Sequence, residues 1–150
     1  MTTNTLETIN SQADSLIDLL VAQCADLDAL LKLARREAAA AAENDFESLL
    51  DVTCERATLG ERLESYHRQI SDLRSIMGDS AEHVVRSALV KESIQMALEI
   101  QSHDAATTAA LTSLRTNTNG QIARLEQGRR NSSAYLNEAR TPGIKCDRRA

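Results

Sequence analysis

The chain has 150 residues, 17 Lys/Arg against 22 Asp/Glu, one Pro, five Gly, two Tyr, one Phe and no Trp. That length holds a single small core, and the shortage of aromatic, Gly and Pro residues argues against sheet and for helix. No apolar run approaches the roughly 20 residues of a membrane span, and a core of Leu, Ile, Val and Ala suits narrow helix seams better than a deep ligand pocket.

A first helix is predicted over about 3–42. Leu6, Ile9, Ala13, Leu16, Leu20, Cys24, Leu27, Leu31, Ala34, Ala38 and Ala41 follow one another in steps of 3 or 4, the spacing of one helix face. Ile17, Leu19, Leu30 and Leu33 widen the stripe, so this helix is expected to touch two neighbours. Asn44 and Glu47 then have the spacing of a capping box.

The second helix, about 45–77, carries Leu49, Val52, Arg56, Leu59, Leu63, Tyr66, Ile70, Leu73 and Met77 in an unbroken alternation of 3 and 4. Arg56 is the one charge in that stripe. Its expected role is a snorkelling side chain, with an ion pair to an acid of the first or third helix as the alternative. Gly78 suits a helix C-terminus, and Asp79 with Glu82 reads as a cap-like pair opening a third helix over about 80–116. Its expected core face is Val84, Val85, Ala88, Leu89, Ile94, Ala97, Ile100, Leu111 and Leu114, with "QSHDAATTAA" as a thin or exposed section.

At 1.5 Å per residue these helices would be roughly 60, 50 and 55 Å long. A third helix continued to 138 would reach nearly 90 Å and overhang the others. Asn117, Asn119 and Gly120 are residues able to end a helix, so the bundle is expected to occupy 1–119. Residues 120–150 form a flexible or partly helical arm. Charge marks the same division: residues 1–115 hold 10 basic against 19 acidic groups, and residues 116–150 hold 7 against 3. The sequence thus predicts an all-α fold, an elongated antiparallel bundle of three long helices with a basic C-terminal arm.

Catalytic chemistry finds no support. His67, His83 and His103 stand in polar surroundings without metal-ligand spacing, and His103 and Asp104, being adjacent, point apart on a helix. His83 lacks the Lys and small-residue pattern of a histidine phosphotransfer helix, and no Gly-rich phosphate loop is present. No catalytic, metal or cofactor residue is assigned. Cys24, Cys54 and Cys146, odd in number and without Cys-x-x-Cys, fit reduced thiols in a cytoplasm. The first basic residue is Lys32, so a signal peptide is not expected. Nucleic acid is not the expected partner of an acidic chain with only Tyr135 in its basic region to stack on a base. The expected chemistry is helix-in-groove recognition, anchored by Ile122, Leu125, Tyr135 and Leu136, with Arg124, Arg129 and Arg130 selecting an acidic rim.

Three features resemble the FlgN-like family of flagellar export chaperones. "LLKLARREAAAAAENDFESLLDVTCERATLGERLESYHRQI" (30–70) is similar to its Leu pairs, Glu-x-x-Ala segment, short Asn/Asp break and following helix with a basic residue, here Arg56. "RTNTNG" (115–120) is similar to its Asn-rich motif, which brings Asn117 and Asn119 into the candidate partner-binding set. The order of long helices followed by a polar tail agrees as well. Family tails often carry a Tyr-Gly pair after a Pro, whereas Pro142 here is followed by "GIKCDRRA".

The resemblance implies a cytoplasmic, non-enzymatic chaperone. It would bind hook-filament junction (hook-associated) proteins through its C-terminal region, prevent their premature assembly and bring them to the export apparatus. The competing reading is a structural coiled-coil protein that self-associates as a homo-oligomer through the same seams.

Overall fold

The computed structural model describes residues 2–139, with the side chains of 7–84 and 86–138. Every element among them is helical: α1 (Thr2–Glu43), α2 (Phe46–Met77), a 3-10 turn (Gly78–Ala81), a single-turn α3 (Glu82–Val85) and α4 (Ala88–Ala139). The chain divides into a compact unit of residues 1–110 and a second unit of residues 111–150. Residues 140–150, including Arg140, Pro142, Ile144, Lys145, Cys146, Arg148 and Arg149 of the expected arm, lie outside the described residues.

In the first unit the long helices run up, down and up. Asp26, Arg36 and Glu37 of α1 pair with Arg62, Glu55 and Arg56 of α2, so one number falls as the other rises and the two helices are antiparallel. Cys24 and Arg35 of α1 meet Ser93 and Glu99 of α4, which makes α4 parallel to α1. The backbones of α1 and α2 approach closely, and the Cys24 thiol of α1 reaches the Leu89 carbonyl of α4 at 3.4 Å.

The expectation that α1 serves two neighbours is met. Leu33 packs with Val52 and Leu59 of α2, while Leu31 and Ala34, on an adjoining face, pack with Met96 and Ile100 of α4. A third cluster joins Leu16 and Leu20 to Ile70, Met77, Ala81 and Val84, closing the end where the chain turns. All nine positions of the α2 stripe are buried or half-buried.

The turn between α1 and α2 differs from the expected capping box. Asn44, at φ 59°, is the residue that ends α1. The amides of Asn44 and Asp45 donate to the carbonyls of Ala41 and Ala40 at 3.4 and 2.9 Å, a Schellman closure. Asp45, not Asn44, caps α2: its carboxylate accepts from the Ser48 amide at 3.1 Å and from Ser48 Oγ at 2.6 Å. These bonds hold the Asp45 carboxyl below its ordinary value.

Three expectations about the third helix need correction. It starts at Ala88, not near 80, because Gly78 at φ 53° reverses the chain into a 3-10 turn, and a bend at Arg86–Ser87 separates α3 from α4. Asp79 and Glu82 form no cap; Glu82 pairs with Arg86. The register of the core face is also different. Ile94 is 57% exposed and Ala97 is exposed, while Ser93, Met96, Ile100, Asp104 and Thr107 face inward or half-inward.

The section expected to be thin is therefore a polar stretch of the seam. Arg56 there is not a snorkelling side chain. Its guanidinium donates to Asp104 Oδ1 and Oδ2 at 2.7 and 3.0 Å and also to Glu37. With Asp104 as the main cause and Glu37 adding to it, the pair keeps Arg56 firmly protonated despite partial burial. Arg56 thus ties α2 to both of the other long helices.

Replacing Arg56 by Ala leaves two carboxylates facing each other and is expected to cost about 1–3 kcal/mol; a joint change of Arg56, Glu37 and Asp104 to Leu should recover most of that, as read by urea unfolding. The Thr107 hydroxyl is buried without a partner among the described residues, so Thr107→Val should stabilise the bundle by about 1 kcal/mol. Because the ionised form of Asp45 is the bonded form, its stabilisation is present at neutral pH and fades as pH falls through its lowered value. Asp45→Ala should remove that acid-side component from a helicity titration.

Candidate protein-docking face on α4

The helix does not stop at Asn117–Gly120. α4 continues through this stretch to Ala139, and this overturns the expected end near 116. The residues concerned are weak helix formers, each costing roughly 0.5–1 kcal/mol against Ala, but good formers follow: Gln121, Ala123, Arg124, Leu125, Glu126 and Gln127. Extending an existing helix is far easier than starting one. Thr116 Oγ1 folds back onto the Thr112 carbonyl at 3.0 Å, and Gln127 Nε2 donates to Asn131 Oδ1 at 3.0 Å. The compact unit ends at Ala110, earlier than the expected 119.

From Leu111 to Glu138 every side chain is exposed except the half-buried Leu114. Large apolar groups are prominent: Ile122 is 49% exposed, Leu125 and Tyr135 74%, and Leu136 67%. At about 100° per residue, Leu111, Leu114, Thr118, Ile122, Leu125, Arg129, Ser132 and Leu136 fall within one stripe roughly 80° wide. This is the width of a coiled-coil seam, and among the described residues it has no partner.

Of the sequence-predicted residues, Ile122, Leu125, Arg129 and Leu136 share this stripe. Tyr135 and Asn117 lie about 100° to one side; Asn119 and Arg130 lie about 100–120° to the other. These four flank a bound helix at most. Sequence reasoning placed Leu111 and Leu114 on the core face of the bundle, whereas both lie beyond the first unit and Leu111 is exposed; it missed Thr118 and Ser132. The 3- and 4-residue steps were visible, but the expected break at 117–120 cut the stripe in two.

Arg129 stands inside the stripe, between Leu125 and Leu136. It has no ion pair among the described residues, and neither do Arg124 and Arg130. A partner covering the stripe would desolvate Arg129 and must supply an acceptor for it. The described part of this segment is basic, with Arg115, Arg124, Arg129 and Arg130 against Glu126 and Glu138.

No group of three or more His, Cys, Asp or Glu residues placed to hold a metal occurs among the described residues. No helix there is long and apolar enough to cross a membrane. His67 and His83 are exposed and His103 is half-buried. No protein-family model, curated protein or solved structure matches the chain.

The glycines of this helical segment allow a direct test. A Cβ at Gly120 or Gly128 meets nothing within 4 Å, so Gly120→Ala and Gly128→Ala should each stabilise the segment by about 1 kcal/mol. Amide hydrogen exchange across 111–138 should slow roughly fivefold per substitution; unchanged exchange would mean that the segment is not helical.

Proposed function

We propose that the protein is a chaperone of flagellar type III export that binds a helical segment of hook-filament junction proteins along the distal stripe of α4, without catalytic turnover. The observation that carries this reading is the unpartnered apolar stripe with an unpaired arginine within it. Such a stripe calls for an amphipathic helix with an acidic group opposite Arg129. The sequence resemblance to FlgN-like chaperones supplies the client class and the cytoplasmic setting.

Energetics support a reversible complex. Burying Ile122, Leu125 and Leu136 contributes about 1.5–3 kcal/mol each. Against this stand the lost freedom of association and the ordering of side chains. An arm already helical avoids the backbone share of that ordering, so a short seam suffices for useful affinity. A copy of the same segment is a poorer partner, because it is basic and brings another Arg129 in place of the missing acid.

The test is co-purification and titration with a candidate junction protein. Ile122→Ser with Leu125→Ser should weaken binding by about 2 kcal/mol, roughly thirtyfold, while the thermal melt of the bundle stays unchanged. Arg129→Glu should weaken binding without altering helicity. Unchanged affinity removes the stripe from the interface. If deleting residues 120–150 unfolds the bundle, or the Ser variants dissolve a self-associated form, the structural coiled-coil reading takes its place.

A further inference from the structure

A second apolar recess lies within the first unit, between α2 and α4. It is a groove of about 310 Å³ whose floor is Leu16, Leu20, Leu27 and Ile70. Val90, Ile94 and Ala97 form one wall, and His67 and Arg74 stand on the other. It runs where α1 packs on both neighbours, and residues of α1, α2 and α4 all line it. From Leu16 to Leu27 the floor is about 16 Å long, close to three helical turns.

The groups around it are one-sided in charge. Among the described residues no carboxylate lines the groove, although the chain as a whole is acidic. Three of the four arginines of α2 have acids: Arg56 with Glu37 and Asp104, Arg62 with Asp26, and Arg68 with Glu64. The side chain of Arg74, the fourth, has neither an ion pair nor a hydrogen bond among the described residues. Asp79 and Glu82 share a neighbouring hollow with it, yet neither pairs with it, and Glu82 is taken by Arg86.

We infer that this groove docks one further helix, an amphipathic segment of a partner protein about three turns long that lays an apolar stripe on the floor and a carboxylate against Arg74. A fourth helix there completes a four-helix arrangement, covers Ile94, which is 57% exposed, and gives the odd arginine its acid. A second copy of this chain does not fit, since an isologous contact sets one acid-free groove against another. The inference stands independently of the reading of the distal stripe.

The 150-residue chain is titrated with a labelled alanine-based helical peptide of about 15 residues with leucine at alternating three- and four-residue spacing and one terminal glutamate, and with its glutamine counterpart. Methyl NMR reports the site and fluorescence anisotropy the affinity. The expected result is shifts at Leu20 and Ile70 and about tenfold tighter binding of the glutamate peptide. That preference should be lost in Arg74→Glu, and both peptides should be weakened by Ile94→Asp, an exposed change.

Shifts confined to Ile122 and Leu125 overturn the groove and leave the distal stripe untouched. Equal affinity for the two peptides, or no binding, also overturns it. Tighter capture of dodecanoate than of peptide makes the groove an amphiphile site instead. Concentration-dependent dimerisation abolished by Ile94→Asp makes it a self-interface, and either result ends the proposal.

Discussion

The bundle depends on α1 burying two faces at once. Leu33 faces Val52 and Leu59, while Leu31 and the fully buried Ala34 face Met96 and Ile100. α2 and α4 each pack on α1 through one of these faces. Alanine at 34, 40 and 41 lets neighbours come close to the α1 backbone, all three being buried. The Arg56–Asp104 pair links α2 to α4, with Glu37 joining from α1. A charged layer of this kind adds little net stability. What it supplies is register: a one-residue slip of any helix would strand a half-buried charge.

Polar groups recur along the α4 side of the bundle. Cys24 Sγ lies 3.0 Å from Ser93 Oγ and 3.4 Å from the Leu89 carbonyl; Arg35 meets Glu99 at 3.1 Å; Thr107 is buried with its hydroxyl unsatisfied. Polar pairs cross the α1–α2 seam as well, where Arg36, Glu37 and Asp26 meet Glu55, Arg56 and Arg62. α4 also carries the distal stripe proposed for client binding.

The helical class, the α1–α2 hairpin and the full α2 stripe were legible because strong leucine periodicity coincides there with burial. The α4 register was not. Its inward positions are Ser93, Asp104 and Thr107 as much as Met96 and Ile100, whereas the conspicuous Ile94 points out. A hydrophobicity pattern cannot register a seam closed by an ion pair whose partner lies 48 residues away. Weak propensity was also overweighted at 117–120, where the flanking helix formers prevail. Within the docking face, Ile122, Leu125, Arg129 and Leu136 converge, while Tyr135, marked by residue type alone, falls on another side of the helix.

The helical course of α4 through Asn119 and Gly120 bears on chemical ageing. An Asn-Gly pair is the sequence most prone to deamidate, since a small following residue lets the backbone nitrogen attack the side-chain amide and close a succinimide ring. In a regular helix that nitrogen is turned away from the amide carbon, and ring closure waits until the turn unwinds. Isoaspartate accumulating at position 119 therefore acts as a clock, recording how much of the protein's lifetime this turn has spent unwound.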